Sequence, residues 1–257
     1  MTTWTTKYRV TKTLAASLLV TLAPFSMAAE PVLTTPTSPT LKTYEARYEA
    51  SAMGLSATAY RTLKIVEGEV YQLQNSLTLT LLGATVGSVT ETSEFLWQAS
   101  DLTPLQYSYE QTGISDRHES IDFDWTGSLA QSTLNDESWS LPLQPGIMDK
   151  LSYSTRLGRD ISERGLTEVS YNIVDGEEID VHVYRIAAEE VLSTPAGNLN
   201  TVRIERIRRE GSSRSTTVWL AKDWDYLLVR LEQINGSRTT ELILQSATVD
   251  GQPLTGL

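Results

Sequence analysis

Apolar and polar residues alternate with a period of two along most of this chain. In TYEARYEA, Tyr44, Ala46, Tyr48 and Ala50 share one face and Glu45, Arg47 and Glu49 the other, the pattern of a half-buried strand. The alternation runs on through LSATAYRTLKIV and EVYQLQNSLTLTLL, with Val66-Glu67-Gly68-Glu69 as the turn between them. It continues in ATVGSVTETSEFLWQ, PLQYSYEQT, HESIDFDW and SLAQSTL. In the second half TEVSYNIV and EEIDVHVYRIAAEEVL flank Asp175-Gly176, a hairpin signal, and Asn235-Gly236 is another. Turn signals recur about every ten residues, so the pattern predicts an all-β, mainly antiparallel meander of about 11–12 strands.

One segment departs from the period of two. In PGIMDKLSYSTRLGRDISERG, residues 145–165, Ile147, Leu151, Ser154, Gly158 and Ile161 follow a helical spacing, with Met148 beside Leu151. Pro145 is placed to start a helix and Gly165 to end it. A lone helix beside a large sheet must bury its apolar stripe against one face of that sheet. Near the end, WLAKDWDYLLVRLE carries Trp219 and Trp224 on either side of a charged turn. Its alternation predicts a strand-to-strand corner, with Trp219 as a cross-strand packing residue.

The first residues do not belong to this pattern. Lys7, Arg9 and Lys12 precede an apolar run over residues 14–25, and Ser26-Met27-Ala28 follows with small residues at the two positions a signal peptidase reads. Residues 1–28 are therefore expected to be a cleaved secretory signal. The apolar run is shorter than the ~20 residues that a membrane-spanning helix needs, so no transmembrane anchor is expected. Residues 29–42, EPVLTTPTSPTL and its flanks, are rich in Pro and Thr and predict a flexible leader. Residues 43–250 then form one β-rich domain, with a C-terminal tail over residues 251–257.

Composition narrows the setting. The chain has no cysteine, which removes disulfides, thiolate metal sites and a lipid-bearing cysteine together. A secreted domain of this size without disulfides points toward a bacterial periplasm. Its 21 basic and 32 acidic residues give a net charge of −11, and loss of Lys7, Arg9 and Lys12 would take it to about −14. So acidic a chain repels phosphate backbones, and nucleic acid is not an expected partner.

No catalytic motif accompanies the fold signals. There are two histidines. His118 stands among Asp116, Glu119, Asp122 and Asp124, a stretch that lacks the spacing of a calcium loop and reads as the solvated face of a strand, with Ile121, Phe123 and Trp125 inward. His182 follows Asp180 by two residues, so both side chains project from one strand face. A zinc site or a hydrolase needs more groups than this pair, and no H-E-x-x-H, G-x-S-x-G or Gly-rich phosphate loop is present. Neither a cofactor nor an enzyme is expected. RIERIRRE, residues 203–210, is the densest basic cluster, readable as an ion-paired hairpin arm or as an anion site.

Several of these segments together carry a resemblance. TPAGNLNTVRIERIRR, STTVWLAKDWDYLLVRLEQ and GSRTTELIL, the D-x-L-S segment Asp149-Lys150-Leu151-Ser152, and the opening YEARYEASAMGLSATAYRTLKI with EVYQLQ resemble the bacterial exported family called domain of unknown function 3108. The resemblance spans about residues 43–249. One departure is Leu228, where the family usually has proline. The resemblance implies a periplasmic protein with a large curved sheet and one helix, similar in outline to half-barrel lipid carriers of the lipoprotein-localisation type. It implies no activity, because the family has none established.

The expected function is thus non-catalytic: binding or carriage of a hydrophobic or amphipathic envelope molecule, such as a lipid, in the concave face of the sheet. Trp97, Trp125 and Trp219, with Ile147, Met148 and Leu151 from the helical segment, are the expected lining. The alternative is an envelope interaction protein that receives a partner chain on an exposed strand edge. A hydrolase using Asp180 and His182 is a third reading. Whether the helix fills the concave face or leaves room beside it is not written in the alternation.

Overall fold

The computed structural model describes residues 40–52, 55–113 and 115–257. The expected signal and all but the last residues of the expected leader lie outside them.

The strands are β1 (Tyr44–Ala52), β2 (Leu55–Glu67), β3 (Val70–Leu81), β4 (Ala84–Gln98), β5 (Asp101–Thr112), β6 (Arg117–Asp124), β7 (Leu129–Leu134) and β8 (Glu137–Pro142) in the first half. The second half has β9 (Ile147–Met148), the helix α1 (Tyr153–Arg164), β10 (Glu168–Asp175), β11 (Glu178–Thr194), β12 (Gly197–Ile207), β13 (Arg214–Ala221), β14 (Leu227–Asn235), β15 (Arg238–Val249) and β16 (Gln252–Pro253). All belong to one open sheet in the order β8-β7-β6-β5-β4-β3-β2-β1-β15-β14-β13-β12-β11-β10-β9, with β16 added to β15. Every neighbour is antiparallel except the short parallel pair of β9 with β10. The meander of the sequence is thus observed, with more strands than expected because short strands border the long ones.

The turns form where the sequence allows a left-handed backbone. Gly176 and Gly236 each stand first in a two-residue loop, with φ of 63° and 62°, a conformation that costs glycine nothing. The corner after β13 needs more. Lys222–Trp224 make one 3₁₀ turn, and Asp225 and Tyr226 follow with φ of 55° and 57°. The Tyr226 N–H closes the corner on the Ala221 carbonyl at 2.9 Å. WLAKDWDYLLVRLE is therefore a corner, as its alternation predicts.

Helix α1 shows how the sheet is bent. Its Ser154 Oγ accepts from Arg61 Nη2 of β2 at 2.6 Å. Its Arg156 Nη1 donates to Asp101 Oδ1 of β5 at 2.8 Å, and Tyr171 of β10 donates to its Asp160 at 2.8 Å. Its Arg159 Nη2 reaches Asp225 Oδ2 of the β13–β14 corner at 3.0 Å. One helix of 12 residues can meet β2, β5, β10 and that corner only if the sheet curls around it. The main core lies inside this curl and joins both arms of the sheet, from Leu73, Phe95 and Ile121 to Ile173, Val202 and Ile204, with Leu157 and Ile161 of the helix. A second core gathers Tyr48, Trp219, Val229 and Leu244.

The helix starts later than its spacing suggested. Ile147 and Met148 are extended and pair with Asn172 and Ile173; both are buried because strands cover them on more than one side. Asp149 then forces the turn that starts the helix, as described below. Gly165 ends it as predicted, with φ 61° and its N–H on the Ile161 carbonyl.

The domain also reaches past both expected limits. Leu41, placed in the leader by composition, is 5% exposed and packs in the main core. Gln252 and Pro253 pair with β15, and the Leu257 N–H donates to the Asn198 carbonyl at 2.8 Å. Thr43 and Asp250 meet across the two ends of the domain, the Thr43 N–H donating to Asp250 Oδ1 at 2.9 Å.

Candidate functional site

Asp149 fixes the helix in place. It is fully buried, and four donors converge on it. The N–H groups of Leu151 and Ser152 give to Oδ1 at 2.8 and 2.7 Å. The hydroxyls of Ser152 and of Ser93 on β4 give to Oδ2, each at 2.7 Å. A carboxylate two and three residues before a pair of free N–H groups is a turn-former by itself, which is why the helical spacing through Ile147 is not realised. Burial pushes the Asp149 carboxyl above its ordinary range, opposed by these hydrogen bonds. Next to it Lys150 is held by Glu119 and by Asp175, and its ammonium lies 5.7 Å from the Tyr107 ring centre.

Between α1 and the sheet lies a cavity of ≈ 250 Å³. This exceeds the about 150 Å³ that suffices for a benzene-sized guest. Its walls include Leu63, Leu151, Leu157, Val218, Leu220 and Leu228. Its floor is polar, made of Arg61, Asn75 and Glu91. Register sets these three in one row, because Arg61 faces Asn75 across β2–β3 and Asn75 faces Glu91 across β3–β4. Residues directly opposite in a ladder share a sheet face.

The floor is a closed hydrogen-bond chain. Arg61 donates from Nε to the Tyr44 hydroxyl at 2.9 Å and from Nη1 to Asn75 Oδ1 at 2.9 Å. Asn75 Nδ2 donates to Glu91 Oε2 at 3.0 Å, and the Tyr107 hydroxyl to Glu91 Oε1 at 2.9 Å. Burial raises the pKa of the Glu91 carboxyl, against the pull of Asn75, Tyr107 and Arg61. A guest in this space therefore meets an apolar wall and a polar base whose donors are already engaged. That suits an apolar or amphipathic molecule better than a free anion.

A second feature is aromatic. Tyr153 of the helix stacks on Tyr184 at 5.4 Å, and His182 meets Tyr153 edge-on at 6.1 Å. His182 Nε2 lies 3.2 Å from Asp180 Oδ2, and the same oxygen takes Arg206 Nη2 at 3.2 Å. Asp180 and His182 are thus neighbours, as their spacing predicts. Burial, helped by the Arg206 charge, lowers the His182 pKa to about 4, so the ring is neutral at pH 7. Among the described residues no three His, Asp or Glu side chains are grouped to hold a metal ion.

Of the six residues expected to line a guest site, Leu151 borders this cavity and the other five lie elsewhere. Ile147 and Met148 are buried in β9, ahead of the helix. Trp97 is buried in the main core with its ring 6.0 Å from the Arg159 guanidinium. Trp125 stacks on Phe123 at 6.2 Å and donates from Nε1 to the Pro104 carbonyl at 2.7 Å. Trp219 is turned away from the cavity: it is directly opposite Arg203 and Arg230, lies 4.6 Å from the Arg230 guanidinium, and donates to Glu190 Oε1 at 2.6 Å. Val218 and Leu220, on either side of it, line the cavity instead. Arg61, Asn75 and Glu91 are absent from the expected set because each reads alone as a polar strand residue. Only the register puts them in a row.

The family model described as "Protein of unknown function (DUF3108)" matches residues 43–243. A β-barrel-like protein of domain of unknown function DUF1849 from Brucella abortus has a similar solved structure, with a TM-score of 0.53 at 8% identity, covering 82% of this chain and 98% of that one. At that identity the likeness is one of fold. A structure described as a "putative lipoprotein" from Parabacteroides distasonis aligns with a TM-score of 0.31 at 11% identity, over 82% of this chain and 97% of that one. A search of the curated proteins finds no match.

Proposed function

The chain belongs to the DUF3108 family of proteins of unknown function, and on that premise we propose that it is a non-catalytic exported protein that holds an apolar or amphipathic envelope molecule between its helix and its sheet. The observation that carries this reading is the ≈ 250 Å³ cavity with leucine and valine walls over the Arg61–Asn75–Glu91 floor. Binding there removes apolar surface of the guest from water, at about 0.8 kcal/mol for each buried methylene. The signal-like residues 1–28 and the absence of cysteine support a periplasmic setting.

The test is direct. The full chain is expressed with its leader, the protein is purified from the periplasm, and an organic extract is weighed by mass spectrometry. The purified protein is then titrated with Nile red, a neutral apolar dye. A stoichiometric extracted guest, or dye uptake that Leu157→Trp abolishes, supports the reading. A folded protein that yields no guest and takes up no dye overturns it.

A second reading has its own observation. β8 ends the order of the sheet, so one of its edges offers unpaired backbone groups to an added strand. A partner chain that binds there would leave dye uptake unchanged.

A further inference from the structure

The hairpin between β12 and β13 concentrates positive charge in an acidic protein. Arg206, Arg208, Arg209 and Arg214 fall within nine residues of a chain whose net charge is −11. They line a surface cleft of ≈ 730 Å³ together with Ser212 and Ser213. Two acids also border the cleft, Glu178 and Asp180, and Asp180 is already engaged by Arg206 and His182.

The remaining guanidinium groups are not neutralised. Arg208, Arg209 and Arg214 make no ion pair among the described residues. Arg208 spends one donor on the Thr216 hydroxyl at 3.2 Å, while its Nε is buried and has no hydrogen-bond partner among the described residues. Burial, followed by the charges of Arg206 and Arg214, lowers the pKa of Arg208. Three of the four cations that line the helix–sheet cavity, Lys42 being the fourth, are different. Arg61 is hydrogen-bonded to Tyr44, Asn75 and Ser154, Lys150 is paired with Glu119, and Arg159 is paired with Asp225. Like charges held together with an unfilled donor among them favour an anion that can take several N–H groups at once.

The cleft also adjoins the cavity. Thr216, which holds Arg208, is a cavity wall residue, and so is Tyr184, the cross-strand partner of Arg206. We infer that the arginine cleft receives the phosphate or carboxylate head of an amphiphile whose apolar part lies in the helix–sheet cavity. This inference rests on the cavity being a binding site.

Two titrations on the mature protein test both: displacement of Nile red by decyl phosphate and 1-decanol, and calorimetry with decyl phosphate and inorganic phosphate, which reads binding in the cleft whether or not the dye moves. Wild type is expected to bind decyl phosphate at least tenfold more tightly than decanol. In the double variant R208Q/R214Q that advantage falls below threefold while decanol binding holds, and rising salt has the same effect on wild type. Arg214→Gln alone, at an exposed position, gives a partial loss and serves if the double variant melts early. Equal affinity of wild type for phosphate ester and alcohol overturns the anion site and leaves the cavity reading standing. An advantage that survives R208Q/R214Q overturns it as well. Inorganic phosphate that binds as tightly as decyl phosphate makes the cleft a free-phosphate site and overturns its link to the cavity. Failure of both decyl compounds to bind wild type removes the cavity reading and this inference with it.

Discussion

The hydroxyl of Ser93, on β4, donates to Asp149 Oδ2 at 2.7 Å, in the turn that starts the only α-helix among the described residues. The two are 56 positions apart in sequence, and their bond ties the helix to one arm of the sheet. Asp149→Ala leaves two buried N–H groups and two hydroxyls without their acceptor. At ~1–3 kcal/mol for each buried donor left unmade, and with some re-pairing, the variant is expected to lose about 3 kcal/mol or more in urea melts. Asp149→Asn keeps an oxygen for the N–H groups and offers an amide to the rotatable hydroxyls, so it should lose much less.

The buried Asp149 carboxyl also carries a pH signature. The Asp149 carboxyl is raised in the folded state by burial, and that of Glu91 is raised the same way. A raised carboxyl contributes stability that is fully present below its unfolded pKa of ~4 and is lost as pH rises through its folded value. Wild-type stability should therefore fall across that window. Asp149→Asn should flatten part of the fall, and Glu91→Gln another part, in melts taken from pH 4 to pH 8.

His182 acts in the opposite sense. Its folded pKa of about 4 lies below the ~6.5 of an unfolded histidine. Between those values the unfolded chain binds the extra proton, so stability is fully present above pH ~6.5 and is lost as pH falls toward 4, by up to about 3 kcal/mol. NMR titration of the ring should show a midpoint near 4, and His182→Gln should remove this acid-side loss. A midpoint near 6.5 would contradict the buried, Arg206-facing placement.

Gly158 stands at a close approach of helix and corner, not at a strained backbone position. A Cβ there would stand 3.0 Å from the Tyr226 Cβ. Gly158→Ala gains about 1 kcal/mol of helix propensity, which the close contact offsets, so it should melt close to wild type. Gly158→Leu must push the helix off the β13–β14 corner and is expected to cost about 2–3 kcal/mol, in the range of other overpacked sites. Both residues line the cavity, so Nile red uptake should change in the leucine variant.

Trp219 separates the two faces experimentally. Its ring lies against Arg230 and its indole N–H on Glu190, away from the cavity. Trp219→Phe should lower stability by about 1–2 kcal/mol through the lost hydrogen bond and ring contact and leave guest affinity unchanged. A tenfold drop in affinity would place the site on the other face of β13.

The period of two made the strands, the hairpin glycines and the corner at Trp219 legible, because a sheet with one covered face writes its pattern directly into the chain. The D-x-L-S segment was visible as a motif, but its physical content, an aspartate collecting four donors, was not. The start of α1 was misplaced for that reason: Ile147 and Leu151 satisfy a helical spacing, yet the Asp149 turn and the pairing of β9 with β10 override it. The floor of the cavity was hidden more deeply. Arg61, Asn75 and Glu91 sit on three strands, and nothing short of the register reveals that they form one row. Trp219 is legible as a packing residue of the corner, but not the face it covers, because large aromatics fill either face of a curved sheet and alternation alone does not say which face is concave.

Every ladder in the sheet joins strands that are neighbours in sequence except one, that of β1 with β15. β8 and β9, although consecutive, are not paired and mark the two ends of the order. The chain is therefore two local meanders zipped along a single distant seam, and the Thr43–Asp250 clasp sits at the end of that seam. The entropy of loop closure, which grows slowly with the separation of the partners and slows folding when contacts are distant, is concentrated in that one zipping step. A circular permutant opened in residues 143–146, with the two ends of the domain joined beside the clasp, would turn the distant ladder into a hairpin and should fold faster than the natural order while keeping the same sheet.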